Sequence, residues 1–278
     1  MSDKMNYKRF FEVLDTKSAL IVGVVGGLLS MGTIGFVVMG VLVLQNRIDL
    51  SGANKTNVQK YNNSPVAASV PQSQDTAPSP VVPKSDRPKV ELFVMSYCPY
   101  GLQMEKAYLP AWDLLKNKAD IDLKFVSYAM HGKKEIDENT RQYCIQKNYQ
   151  EKYISYLNCF TGEDNSGKCL SAVGLSDNKL ASCVSAADKQ FNISGNFDDQ
   201  SKWLSGRYPI YAVNGDLNDK YSVQGSPTLV INGVQAEAGR TPEAVKQAIC
   251  NAFNNPPAEC KKQLANTPFQ PGFGSNAQ

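Results

Sequence analysis

Val90-Glu91-Leu92-Phe93-Val94-Met95-Ser96-Tyr97 runs directly into Cys98-Pro99-Tyr100-Gly101. The first eight residues favour β structure and are almost continuously apolar, the pattern of a strand buried at the centre of a sheet. A helical pattern follows from Gly101 to about Lys118, with Leu102, Ala107, Leu109, Leu114 and Leu115 on its apolar face and Pro110 inside it. Ile121–Met130 then reads as a second strand. Strand, helix and strand with short connections predict a right-handed βαβ unit with parallel strands, so the fold class is α/β.

The position of Cys98 has chemical consequences. A cysteine at the junction of a strand and a helix sits beside the unsatisfied N–H groups and the positive dipole end of that helix. Such a setting favours thiolate, the species that attacks disulfides. The same position also suits a small buried apolar residue without chemistry. His131 follows the second strand at the same sheet edge, where open α/β sheets place their ligand crevices. As imidazolium it would favour a Cys98 thiolate, and as imidazole it would relay a proton. The alternative is a solvated loop histidine.

Outward from this unit, Lys133 to about Gly206 is mostly helical. Val223-Gln224-Gly225-Ser226-Pro227 next leads into the strand Thr228-Leu229-Val230-Ile231, and Asn232-Gly233 predicts a two-residue hairpin turn into Val234–Ala238. Thr241-Pro242-Glu243 starts a last helix that runs to about Phe253. Ser226-Pro227 at a hairpin entrance suits a cis peptide bond, which would turn the backbone of Ser226 toward an extended substrate; a trans proline opening a strand is the other reading.

Phe93-Val94-Met95-Ser96-Tyr97-Cys98-Pro99-Tyr100-Gly101, the helical stretch and Val223-Gln224-Gly225-Ser226-Pro227-Thr228 together resemble the thioredoxin superfamily. The resemblance is to its DsbA-like branch, where a helical domain interrupts the fold between its βαβ and ββα halves, and it covers about Lys89 to Phe253. It implies a thioredoxin-like fold with an insertion at about 133–206, and thiol–disulfide exchange on polypeptides. It also implies Cys98 as nucleophile and a substrate seat at Pro99, Tyr100, Ser226 and Pro227, with no cofactor. The sequence departs from the family motif Cys-x-x-Cys in one respect: Gly101 stands where the second cysteine would be. A dithiol cycle on this motif is therefore excluded. A monothiol still reshuffles disulfides, as an isomerase or reductase, because a substrate thiol can release it. The alternative function is a catalytically degenerate thioredoxin-fold module for peptide binding or surface assembly. Gly101 lies one helical turn after Cys98, where a cysteine introduced by mutation is expected to approach its sulfur.

The chain of 278 residues has seven cysteines, an odd number that leaves one unpaired when six form disulfides. Six cysteines allow 15 pairings. Local geometry favours Cys159 with Cys169, Cys250 with Cys260, and Cys144 with Cys183. The single histidine rules out a multi-histidine metal site, no C-x-x-C pair is present, and a net charge of +3 gives no basic field for nucleic acid.

Residues 18–44 contain no charged residue over 27 positions, enough to cross a bilayer as a helix. Lys4, Lys8, Arg9 and Lys17 precede that run and favour a cytoplasmic N-terminus over residues 1–17. A Pro/Ser-rich stretch at 45–88 reads as a disordered linker, and 256–278 as a loose polar tail. The expected organisation is a single-pass cell-membrane protein with its folded domain, 89–255, outside the cytoplasm. Its expected partners are cysteine-containing secreted or surface polypeptides, a separate redox protein, and the membrane through the N-terminal helix.

Overall fold

The computed structural model describes residues 81–274; the run at 18–44 and the sequence before Val81 lie outside the described residues. Strand β1 (Lys89–Val94) is followed by helix α1 (Pro99–Leu115) and strand β2 (Asp120–Phe125). Five helices come next: α2 (Lys133–Asn148), α3 (Gln150–Glu163), α4 (Ser166–Ala172), α5 (Asp177–Phe191) and α6 (Ile193–Asp198). Helix α7 (Gly215–Tyr221), strands β3 (Thr228–Ile231) and β4 (Val234–Ala236), and helix α8 (Pro242–Asn251) complete the unit.

The sheet order is β2-β1-β3-β4, with β1 parallel to β2 and antiparallel to β3. This is a thioredoxin-like fold with a mixed sheet, interrupted after β2 by a helical insertion. Alternation along β1 builds two cores. Val90, Leu92 and Val94 face the larger one, with α1, α8 and the insertion, while Phe93 and Met95 face a smaller one with Val126, Tyr221, Val223 and Val230. Cys98 packs at the margin of the smaller core. Asn232 and Gly233 both have positive φ, 50° and 84°, the geometry of the two-residue turn that matches strand twist.

Both strands of the βαβ unit end earlier than the apolar runs. After Val94 the backbone leaves the ladder for side-chain partners: Met95 N–H donates to Ser226 Oγ at 3.0 Å and Ser96 N–H to Asn139 Oδ1 at 3.2 Å. Beyond Phe125, the N–H of Ser127 donates to Asn218 Oδ1 and that of Ala129 to the Pro209 carbonyl.

The six cysteines of the insertion and C-terminal region pair as Cys144–Cys183, Cys159–Cys169 and Cys250–Cys260, and Cys98 is free. No helix among the described residues is long and apolar enough to cross a membrane.

Two boundaries differ from the sequence reading. Residues 83–88, expected as the end of a linker, are bound to the domain: the Pro83 carbonyl accepts from Asn232 Nδ2, and Ser85 exchanges backbone hydrogen bonds with Ala252 and Asn254. The C-terminal residues, expected to be loose, run along α8 and then across α1. Lys246 Nζ donates to the Lys262 carbonyl, Leu264 N–H to Glu243 Oε2, and Lys106 Nζ to the carbonyls of Gln270, Gly272 and Gly274. A polar, Pro/Gly-rich composition predicts looseness only when the backbone lacks outside donors, and here two buried lysines supply them.

Candidate redox site

Cys98 is the N-cap of α1, with extended backbone at φ −69° and ψ 120°, and Pro99 occupies the first helical turn. Its Sγ accepts the Gly101 N–H at 3.4 Å, so one of the orphan donors of the helix start is spent on the sulfur. The thiol hydrogen has an acceptor in the Ser226 carbonyl, 3.5 Å away. Ser226–Pro227 is a cis peptide bond. The free thiol, the helix start and the cis-proline loop are thus in mutual contact, although Cys98 and Ser226 are 128 residues apart.

Position 101 is crowded. A Cβ there would lie 2.6 Å from Ser226 Oγ, and 3.2 Å from both Cys98 Cβ and the Met95 carbonyl oxygen. A cysteine introduced here would stand beside Cys98, but only after the Ser226 hydroxyl moved aside.

His131 lies after β2 and is partly exposed. Its Nδ1 meets Glu135 Oε2 at 2.5 Å, and no ring contact with Cys98 is present among the described residues. Glu135, wholly buried in the first turn of α2, also accepts the backbone N–H groups of Tyr97, Met130 and His131 at 3.2, 2.8 and 3.3 Å. One carboxylate thus ties the residue before Cys98 to the loop that holds His131. Sequence reasoning missed this residue. The available signal was an acidic residue four positions after the lone histidine, at a helix start.

Tyr128 joins the same rim, its hydroxyl donating to the Gln224 carbonyl at 2.9 Å. Burial, then the charges of Tyr208, Cys98 and Glu135, push its phenol up. Tyr100 is 54% exposed with the Arg240 guanidinium 4.9 Å from its ring centre, and Met130 is 49% exposed. Both are large apolar side chains left open to solvent, one two residues after Cys98 and the other beside His131. A cleft of about 270 Å³ opens beside Pro227, lined by Met104, Leu229, Ala236, Ala238 and Arg240 among others. A larger cleft of about 670 Å³ lies between α2, α5 and α6 and includes neither Cys98 nor the cis-proline loop.

Comparison with known proteins adds a family to this geometry. Residues 89–187 match the family of gamma interferon inducible lysosomal thiol reductase. That span runs from β1 into α5 and includes Cys98, His131 and Glu135, and it supports reading the chain as a protein thiol–disulfide oxidoreductase. No curated protein matches the sequence. Among solved structures, DsbG from Mycobacterium tuberculosis is similar at 14% identity and a TM-score of 0.43, covering 64% of this chain and 88% of that one. DsbA from Mycobacterium tuberculosis gives 13% identity and 0.44, covering 64% and 93%. BdbD from Bacillus subtilis gives 18% and 0.41, covering 66% and 94%.

Pro99, Tyr100, Ser226 and Pro227 all lie at this site, whereas the three disulfides lie in the insertion and at α8. The described residues hold no cluster of side chains fit for a metal ion. The Cys98 sulfur thus has one hydrogen-bond donor, the Gly101 N–H, and one acceptor, the Ser226 carbonyl.

Proposed function

We propose that this protein catalyses thiol–disulfide exchange on cysteine-containing polypeptides through Cys98 as a single nucleophile. The observation that carries the reading is the free Cys98 thiol held between the Gly101 N–H and the carbonyl of a cis-proline-linked serine. Cys98, as thiolate, attacks one sulfur of a substrate disulfide. A new S–S bond forms, the substrate S–S bond breaks, and the other substrate sulfur leaves as thiolate and takes up a proton. Release needs a second thiolate. If another substrate thiol attacks the substrate sulfur, the disulfide is moved with no net electron transfer. If an external thiol attacks the Cys98 sulfur, the substrate leaves with both sulfurs as thiols, reduced by two electrons. A second external thiol then frees Cys98 as the two external thiols leave as a disulfide.

The N–H of Gly101 steadies the anion at the start and end of this cycle. Ser226 and Pro227 seat the extended substrate, with Pro99 and Tyr100 beside it. His131 acts through Glu135, which fixes the backbone on which Cys98 is mounted. The chemistry uses sulfur and protons alone. A second reading, a peptide-binding or surface-assembly module without turnover, has one observation in its favour: a Cβ on residue 101 would meet Ser226 Oγ at 2.6 Å, so the site is packed around a glycine where a resolving cysteine would stand.

The proposed setting is the outer face of a cell membrane, with residues 18–44 as a single-pass anchor and the N-terminus cytoplasmic. Three disulfides within one domain support an oxidising compartment, and the charge-free run supports the anchor. Secreted or surface polypeptides are then the substrates, with a separate redox protein as electron source or sink.

A scrambled-disulfide substrate in a thiol buffer tests the assignment. Cys98→Ser should reduce exchange at least about 100-fold while peptide binding is kept. Unchanged exchange in that variant would remove Cys98 from the chemistry.

A further inference from the structure

The C-terminal residues are bound along α1 in a way that side-chain packing alone does not require. Lys106 is 7% exposed, and its Nζ donates to three tail carbonyls, Gln270, Gly272 and Gly274, at 2.9, 2.8 and 2.9 Å. It has no carboxylate partner among the described residues, so its charge is solvated by peptide carbonyls. Gln103 Nε2 donates to the Phe269 carbonyl. The Gly272 N–H donates to the carbonyl of Pro99, the residue next to Cys98, at 2.8 Å, and the Gly274 N–H to that of Thr161 in α3 at 3.1 Å. Positions 99, 103 and 106 share one face of α1, spaced i, i+4, i+7.

Two aromatic side chains of the tail join this arrangement, and Lys106 Nζ lies 5.7 Å from the centre of the Phe269 ring. The Phe273 ring stands edge-on to Tyr97 and Phe160, with centres 5.5 and 5.3 Å apart. Phe269 and Phe273 are both half-buried, so the tail lies on the domain surface and not within its core. Backbone carbonyls gripped by a lysine, a glutamine and a backbone edge, plus one aromatic socket, form a site that reads polypeptide backbone with little regard to sequence.

We propose that this face of α1 is a polypeptide-binding groove leading to Cys98, and that residues 269–274 are its resident occupant, displaced when a substrate chain docks. The occupant in trans is an unfolded polypeptide that places an aromatic side chain between Tyr97 and Phe160. The proposal rests on the reading of Cys98 as a nucleophile toward polypeptides, but its test uses binding alone and stands apart from turnover.

The full chain carrying Cys98→Ser is compared with the same chain ended after Asn266, which frees the groove of its resident occupant. The probe is a fluorescent peptide with the sequence of Thr267–Gln278, followed by anisotropy. A site filled in cis has its apparent affinity lowered by the fraction already occupied. The freed variant should therefore bind the probe at least about tenfold more tightly than the parent. Carboxymethylated, unfolded polypeptide should displace it, and Lys106→Met should abolish binding. Equal affinity in parent and freed variant, failure of the unfolded polypeptide to compete, or full binding with Lys106→Met would each overturn the proposal. Should the freed variant fail to fold, amide exchange on the unaltered protein decides the matter. Unfolded polypeptide must speed exchange at Gly272 and Gly274 without changing α1, and no change at those two amides contradicts displacement.

Discussion

Ser226 Oγ and Gly101 share one space: the hydroxyl accepts the Met95 N–H at 3.0 Å and stands 2.6 Å from where a Cβ on residue 101 would be. The absent second cysteine and the serine before the cis-proline are thus two halves of one arrangement. A side chain on residue 101 therefore displaces that hydroxyl from the Met95 N–H.

This coupling gives the first prediction. Gly101→Cys alone should push Ser226 Oγ off the Met95 N–H and destabilise the protein by about 1–3 kcal/mol. Ser226→Ala should cost about 1–3 kcal/mol on its own by orphaning that N–H. The double variant should be more stable than the sum of the two implies, because the clash and the lost bond are counted once. Only the double variant is expected to oxidise dithiols efficiently. A denaturant double-mutant cycle checks this, and strict additivity would show that the two residues do not share the space.

Glu135 supplies the second prediction. Its carboxylate is wholly buried and accepts three backbone N–H groups besides His131 Nδ1. Glu135→Ala should cost about 3 kcal/mol or more and slow exchange strongly by releasing Tyr97. His131→Gln should slow it far less, since a glutamine can still donate to Glu135. Unfolding curves and exchange rates measured side by side test the order. An equal loss in both variants would mean that His131 touches the reacting sulfur itself.

The third prediction concerns pH. Glu105 is wholly buried with both oxygens unpartnered among the described residues, and burial, then the charge of Glu138, pushes its carboxyl up to about 8 from an ordinary 4.5. Between those values the unfolded chain has released this proton and the folded chain has kept it. Stability contributed by this group is therefore full below about pH 4.5, falls as pH rises, and levels off above about 8. The size is on the order of a few kcal/mol. Glu105→Met should flatten the decline, and melting temperatures from pH 4 to 8 measure it. A wild-type profile that rises over this range once other carboxylates are accounted for would contradict the burial.

A fourth prediction ranks two disulfides. Cys144–Cys183 closes a separation of 39 residues and Cys159–Cys169 one of 10. Chain entropy assigns about 4 kcal/mol to the first and about 3 kcal/mol to the second. Replacing both cysteines of each pair by alanine should reproduce that order in denaturant unfolding.

The central part of the fold was legible because local chemistry and tertiary role agree there. Val90, Leu92, Phe93 and Val94 are apolar because both faces of their strand are covered, and Asn232-Gly233 carries the turn that its backbone angles demand. The seat of Cys98 against Ser226 was legible for the same reason. What remained hidden depends on contacts distant in sequence. Met95–Tyr97 reads as strand, but it leaves the ladder for Ser226, Asn139 and Glu135, up to 131 residues away. The crowding at Gly101 comes from a hydroxyl on another loop, which no spacing rule reports. The tail misled because it is held by its carbonyls, and a carbonyl is the same in every residue.

The most direct measurement of the account is thiol release on mixing reduced protein with an excess of a disulfide-linked peptide that yields a chromophore on cleavage. A single nucleophile should release about one equivalent and remain covalently joined to the other half of the peptide at Cys98, identified by mass spectrometry, until an external thiol is added. Release of about two equivalents with no retained adduct, or an adduct on any other cysteine, would contradict it.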